Sequence, residues 1–418
     1  MKVFKFGGAS VRDAEAIKNL ARIVISEKDD LVVVVSAFSK TTNALEGVLK
    51  SWLGGNKNYE KQLDDLHNYH NSVIKDLNGN KKDFKEKNDI LFESLSEFLK
   101  AGIHCDYDTD YDQVVSYGEL WSTVIIAGYL KTQVPSVSWI DIRKILITDN
   151  RHRDANVLWD ESTGKVKSAC NFTKNRIYVT QGFIAGTSSG LTTTLGREGS
   201  DYTAAVLANI LDAEQVVVWK DVPGLLNADP KWFPDAEKLP EISYKEAVEM
   251  SFSGAKVIHP KTIKPLHNKN IPLQVRSFLD VKEKGTIVKA DAELKKILPV
   301  YIRKEDQILI SILPKDLSFV MGDNLARIFH SFQDNGIKVN LVEASAVSLD
   351  VCVDDERPRI ESFIKENESD FSVVYNEDVE LLSVRHYTPA SVTKVTDGRE
   401  ILLEQRTRST VRFVVRNV

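Results

Sequence analysis

The chain has 418 residues, room for two or three domains. Hydrophobic residues make up 42% and charged residues 28%, ordinary for a globular protein, and a net charge of −5 argues against broad attraction to nucleic acid or an anionic membrane. Three scattered cysteines, Cys105, Cys170 and Cys352, fit neither a disulfide framework nor a zinc site and read as buried small side chains. No apolar run reaches the ~18 residues of a membrane span. No signal peptide is evident, so a cytoplasmic location is expected.

In chain order, Val3-Phe4-Lys5-Phe6 reads as a strand that breaks at Gly7-Gly8. Two readings are open there: a tight turn supplied by glycine, or an anion cradle in which backbone amides, a following helix and Lys5 meet a phosphate. The following helix is expected over Asp13 to Ser26, with Ile17, Leu20 and Val24 on one face. Leu31 to Val35 is a continuous β-branched run, the pattern of a strand buried on both faces of a parallel sheet. Residues 45 to 130 read as mostly helical, with solvated stretches at Gly54 to Asn58 and Asn78 to Lys87. Short strands follow at Val137 to Ile140, Ile177 to Thr180 and Gln215 to Trp219, with a helix at Asp201 to Leu211. Such alternation predicts a three-layer α/β domain.

That domain is expected to close near Ile287-Val288 and to span residues 1–295, with Pro299 as a boundary. Beyond it the pattern changes. A strand at Ile308 to Ile312, a helix at Asn324 to Asn335, strands at Val339 to Val342 and Ser348 to Val353, and a helix at Arg357 to Asn367 form most of a ferredoxin-like α+β unit. Strands at Val379 to Val384, Arg399 to Gln405 and Thr410 to Val415 predict a second, incomplete copy. Residues 299–418 would hold both.

Four further segments concentrate chemistry. Ser116-Tyr117-Gly118-Glu119 precedes an apolar helix, and Glu119 alone would pass for a helix-start carboxylate. Thr192 to Ala205 combines a threonine run, glycines, Arg197 and a helix start, where Ser200 or Asp201 could be the cap. Arg197 offers a fork for a carboxylate or phosphate. Trp219 to Lys231 leaves a strand and turns repeatedly, which suits a ligand loop or a plain connection equally. In Ser253 to Pro260, Lys256 sits among small residues, and His259 before Pro260 reads as structural.

Taken together these segments resemble the aspartate kinases of the amino-acid kinase family. KFGGAS is similar to the family's KFGGTS, and SYGEL to its S-x-GE. TTLGREGSDYTAA matches T-LGR-x-GSDYTA almost letter for letter. KDVPGLLNADPK and GAKVIHP match two more of its motifs, in order, over about 260 residues. The resemblance implies transfer of the γ-phosphoryl group of ATP to the β-carboxylate of L-aspartate, the first step toward lysine, threonine and methionine. Lys5, Gly7 and Gly8 would meet the transferring phosphoryl group. Ser36, Thr42 and Ser200 would seat aspartate, Glu119 and Asp201 would face its ammonium, and Arg197 its α-carboxylate. Asp201 also counts among the catalytic groups. Lys220, Asp221, Leu226, Asp229, Lys231 and Lys256 would surround ATP, with Mg²⁺ held by phosphates and water and no dedicated metal site.

Ala9, Lys220, Leu226 and Lys231 depart from the family's usual residues, which bears on nucleotide affinity. The C-terminal part resembles tandem ACT modules, which bind amino-acid effectors and form dimers. Ser318, Met321, Asn340 and Ser345 fall at the candidate effector positions. Asn340 and Ala346 lack carboxylates that would meet a cationic effector, with Glu343 the one nearby substitute, which predicts a weak or altered lysine response. The second module is expected to lack its helix, since Pro389 to Arg399 leaves no room for it. The competing readings are a kinase for glutamate or acetylglutamate, and a non-catalytic amino-acid-sensing subunit.

Overall fold

A computed structural model of the chain describes residues 1–77, 82–102, 104–255, 258–292 and 298–417. They form two compact units, one of Met1–Leu225, Lys238–Val248 and Val257–Glu293, the other of Leu226–Glu237, Glu249–Lys256 and Leu294–Val418. Among the described residues no helix is long and apolar enough to cross a membrane.

The first unit is built on an eight-stranded sheet. Its spatial order is Glu241–Ser243, Thr286–Lys289, Leu273–Ser277, Gln215–Lys220, Lys2–Phe6, Leu31–Val35, Ile177–Gln181 and Val137–Ile140. The first two strands in that order run against the other six, which are parallel. The run Leu31–Val35 is buried at every position, as a central strand covered on both faces requires.

Strand alternation divides this sheet into two faces. Phe4, Phe6, Val33, Val35, Val217 and Trp219 point to one side, where they pack with Ile17, Leu20 and Val24 of the helix Ala14–Ser26 and with Ile125 and Ile126 of the helix Tyr117–Gln133. Val3, Val32, Val34, Val216 and Val218 are equally buried on the other side, against which the helix Gly199–Ile210 lies. The helix Pro260–Asn268 packs on Gly199–Ile210 in turn. A further helical cluster over residues 41–133 has its own core around Leu45, Phe92 and Trp121. Residues 78–81 of the stretch expected to be solvated lie outside the described residues, and a helix begins at Lys82. Cys170 and Cys352 are buried as expected, whereas Cys105, in the loop before the helix Tyr107–Val115, is exposed.

The second unit carries a six-stranded antiparallel sheet ordered Val339–Ala344, Leu349–Asp354, Val300–Pro314, Phe371–Arg385, Thr410–Asn417 and Arg399–Arg406. Its two central strands are 15 residues each, where shorter ones were expected. A break in register near Lys304–Leu309 divides the pair, and Asp306 and Asp378 there take positive φ of 53° and 55°. On one half, Ile328, Phe332, Ile360 and Phe363 of the helices Asp323–Asp334 and Arg357–Asn367 pack on Ile308, Ile310 and Val351.

On the other half lies a helix at Pro389–Thr396, which corrects the expectation that this module has none. Proline is compatible with the first turn, and Thr388 caps the helix reciprocally with Ser391. Val395 joins a core with Leu382, Phe413 and Phe233. Phe233 also stacks on Tyr301, with ring centroids 4.6 Å apart. This packing is why residues 226–237 belong to the second unit although they precede residue 295 in the chain.

Candidate active site

Three neighbouring strands end on the same face of the first unit's sheet. Alternation places Lys5 with Val3, and Lys220 with Val216 and Val218, while Ser36 continues the line of Val32 and Val34. All three meet the first turn of the helix Gly199–Ile210. Lys5 Nζ lies 2.7 Å from Asp201 Oδ1, Lys220 Nζ lies 3.9 Å from Asp201 Oδ2, and Ser36 Oγ donates to Ser200 Oγ at 2.9 Å. Asp201 and Ser200 are both buried. Burial pushes the Asp201 carboxyl up, but the Lys5 and Lys220 ammonium groups outweigh it and hold the carboxyl below its ordinary value.

Close approach makes this arrangement possible. Gly182 follows the strand Ile177–Gln181, and a Cβ there would come within 2.5 Å of Ser200 Cβ. Gly182→Ala should therefore push the helix start away from the strand ends and cost about 1–3 kcal/mol of stability. Chemical unfolding checks this, and an unchanged midpoint would contradict the packing described. The turn into the helix holds Gly196 at φ +75° and Glu198, the cap residue, at φ +54°. The cap is thus Glu198, and neither Ser200 nor Asp201 fills that place.

Glu119 approaches from the first turn of the helix Tyr117–Gln133. Its Oε1 accepts a hydrogen bond from Ala37 N at 3.2 Å, and its buried Oε2 has no partner among the described residues. Burial pushes this carboxyl up to about 8, and the Ala37 amide and the Lys5 charge offset that only in part. Lys5, Ser36, Thr42, Glu119, Arg197, Ser200, Asp201 and Lys220 all line one cavity of about 530 Å³. Both oxygens of Asp201 are turned to lysines, so its expected role toward a substrate ammonium rests on the resemblance alone.

None of the remaining expected residues that the structure describes lines that cavity. A Cβ on Gly7 would stand 3.5 Å from Lys5 Nζ, so Gly7 borders the ammonium. Gly8 begins a short 3₁₀ turn, Gly8–Val11, and packs against the backbone of Ala37 and Ser39, where a Cβ would meet carbonyl oxygens at 3.1 and 3.0 Å. Asp221 is exposed and does not line the cavity. Leu226, Asp229 and Lys231 belong to the second unit, and Asp229 Oδ1 accepts from Lys231 N at 2.9 Å. Lys256 lies outside the described residues. His259 is structural as expected, its side chain capping the helix Pro260–Asn268.

Sequence reasoning missed Tyr111, Arg153 and Thr194 in the cavity wall. Arg153 stacks over Tyr111 at 4.7 Å and pairs with Asp108 at 3.1 Å. Its loop is pinned by the buried Asp112, which accepts from Arg153 N, His152 Nδ1 and Thr194 Oγ1 at 3.0, 2.8 and 2.7 Å. The polar run Asn150 to Asp154 was the one local signal, and nothing in its spacing pointed to Asp112.

Of the candidate effector residues, Asn340 is fully engaged. Its amide donates to Gln307 Oε1 and Asp354 Oδ1, both at 2.8 Å, and its oxygen accepts from Lys304 Nζ at 2.8 Å. Ser318 Oγ accepts from Asn324 at 2.9 Å, Ser345 Oγ lies 2.8 Å from Ser348 Oγ, and Met321 is exposed.

Residues 1–277 match the sequence model of the amino acid kinase family. The chain belongs to the amino acid kinase family. Within it, the chain groups with the aspartokinases. It is 33% identical over 356 residues to lysine-sensitive aspartokinase 3 of Escherichia coli, covering 84% of this chain and 78% of that one. It is 31% identical over 367 residues to the chloroplastic bifunctional aspartokinase/homoserine dehydrogenase 2 of Arabidopsis thaliana, of which it spans 39%. The crystal structure of E. coli aspartokinase III in complex with aspartate and ADP superposes with a TM-score of 0.84 at 28% identity, over all of this kinase and 96% of that chain.

Proposed function

We propose that this amino acid kinase is an aspartate kinase, forming 4-phospho-L-aspartate from L-aspartate and ATP. The observation that carries the reading is the charge pattern of the cavity. A buried carboxyl with an unpartnered oxygen, Glu119, shares it with Arg197, which makes no ion pair among the described residues, and with the Lys5–Asp201–Lys220 group. An amino acid with a second carboxylate complements that pattern: ammonium to Glu119, α-carboxylate to Arg197, β-carboxylate toward Lys5.

In this reading the nucleophile needs no general base, because a carboxylate is already ionised at neutral pH. A β-carboxylate oxygen attacks the γ-phosphorus, the bond from that phosphorus to the bridging oxygen breaks, and ADP leaves with the electron pair. The obstacle is repulsion between two anions, so the protein's work is alignment and charge neutralisation. Lys5 supplies positive charge at the point of transfer, and Asp201 holds it there. Ser36, Ser200 and Thr42 orient the acceptor, and Lys220 adds charge on the nucleotide side. Gly7 and Gly8 let the chain pass close to the transferring group. Asp221, Leu226, Asp229, Lys231 and Lys256 remain proposed nucleotide contacts.

Among the described residues no three His, Cys, Asp or Glu side chains converge as a metal site. Following the resemblance, Mg²⁺ is proposed to bind through nucleotide phosphates and water, where it would supply further charge neutralisation.

A hydroxylamine trap tests the function. With ATP, Mg²⁺ and a panel of acidic amino acids, aspartate should yield the hydroxamate, while glutamate and acetylglutamate should not. Hydroxamate from glutamate instead, or none at all, would overturn the reading.

An amino-acid effector is proposed for the second unit, as is self-association there, which the exposed Leu317, Phe319 and Met321 support. With Asn340 committed to Lys304, Gln307 and Asp354, no free carboxylate is presented at that position to a cation. Half-inhibition by lysine is expected only above about 1 mM. Strong inhibition of the purified enzyme well below that concentration would contradict the expectation.

A further inference from the structure

Arg197 has no hydrogen bond or ion pair of its own among the described residues, so its guanidinium is placed by its backbone. The turn that carries it is fastened on both sides of Arg197 by the start of the helix Pro260–Asn268, through the Leu195 carbonyl and the Glu198 side chain. Lys261 Nζ donates to Leu195 O at 3.1 Å, and His259 N donates to Glu198 Oε2 at 2.9 Å. Lys261 Nζ also donates to Asp154 Oδ1 at 2.8 Å, next to Arg153 in the cavity wall. The two loops touch at that point, for a Cβ on Gly196 would stand 2.6 Å from Asp154 Oδ1.

The ammonium that makes this bridge is itself well placed. Its side chain is mostly buried, with the ammonium 5.2 Å from the centre of the Tyr202 ring. Its backbone is set by Pro260 in the first turn and by the His259 cap, whose Nδ1 accepts from Lys261 N at 3.2 Å.

We propose that Lys261 is a positioning residue of the acceptor site: it ties the Leu195–Glu198 turn to the Asp149–Asn156 loop and so holds Arg197 where the acceptor's α-carboxylate binds. The inference rests on the reading of Arg197 given above. A lysine suits the task because one ammonium offers three donors from a single point, and two of them bridge loops that lie 41 residues apart in the chain (154 to 195). Lys261 touches neither substrate in this scheme. Losing it weakens acceptor binding in the ground state and the transition state alike, which raises KM and leaves kcat nearly unchanged.

The test compares Lys261→Met, which keeps the length and packing, with Lys261→Arg, which keeps charge and donors. Lys261→Met should raise KM for aspartate roughly tenfold, while kcat, KM for ATP and the thermal midpoint stay near wild type. Lys261→Arg should restore KM to within about threefold of wild type. Asp154→Ala should act through the same bridge, so its effect and that of Lys261→Met should not add. An aspartate KM in Lys261→Met within about twofold of wild type, or an equal rise in both KM values, overturns the inference. Arg197→Ala is the control on the underlying reading. If it leaves aspartate KM unchanged, the acceptor assignment itself falls, whereas a large Arg197 effect with a silent Lys261 sinks only the positioning role.

Discussion

Lys5→Ala is expected to lower kcat by on the order of 10²–10³ while changing KM for aspartate much less. Lys5 stands on the face that alternation reserves for the helix Gly199–Ile210, and its ammonium is fixed by Asp201 at 2.7 Å. The side chains are 11% and 4% exposed, so water screens their interaction little. A preorganised positive charge in such a place acts on charge that builds up during transfer, which makes kcat the sensitive quantity. Removing Lys5 also strips Asp201 of its nearer partner, which destabilises the fold by leaving a buried carboxylate poorly compensated.

The double variant Lys5→Ala/Asp201→Asn separates the two effects. It should recover thermal stability without recovering kcat. A kcat close to wild type in Lys5→Ala, with only KM raised, would falsify the role assigned to Lys5.

Glu119→Gln is expected to stabilise the unliganded protein at alkaline pH while raising KM for aspartate by on the order of 10²-fold. Both effects follow from one buried carboxyl. Its value is about 8 in the folded chain against an ordinary 4.5. Between those limits the folded protein keeps a proton that the unfolded chain has released. Stability must then fall as pH rises from about 4.5 to about 8, and the full penalty is present above 8. Glutamine never ionises, so the variant should lose this decline, and its advantage over wild type should grow toward pH 8 and level off beyond.

Aspartate reverses the preference, because its ammonium stabilises the ionised carboxylate. Binding at pH 7 should therefore release protons from the wild type, and affinity should improve as pH rises toward 8. Calorimetry in buffers of different ionisation enthalpy measures the proton count. No proton release, together with an unchanged KM in Glu119→Gln, would remove Glu119 from the acceptor site. The pairing of a stability gain with a binding loss is what a site strained in its empty state should show.

Much of this site was legible in the residues because its chemistry is carried by short, dense segments. Lys5, Glu119, Arg197 and Asp201 lie beside glycines and strand ends, and the sheet gathers them as the β-branched run Leu31–Val35 predicts. What escaped depended on long-range placement. Arg153 reaches the cavity only because Asp112, a residue with no local signature, is buried where three donors meet. The resemblance assigned Asp201 to the acceptor, and no local motif discloses that Lys5 and Lys220 lie on the same sheet face and meet its carboxylate. The helix Pro389–Thr396 was missed because the interval from Pro389 to Arg399 was judged too short to hold one; proline opens its first turn, and Ser391 completes a capping box in place of the commoner Glu, so eight residues suffice. Residues 226–237 sided with the second unit through Phe233 and Tyr301, a contact that no boundary signal in the chain marks.

The most direct test is a crystal structure with aspartate and a non-hydrolysable ATP analogue bound together. The account predicts the γ-phosphate within hydrogen-bond reach of Lys5 Nζ, about 3 Å, with the α-carboxylate on Arg197 and the ammonium on Glu119. A triphosphate seated away from Lys5, or an acceptor that leaves Glu119 and Arg197 untouched, would contradict it.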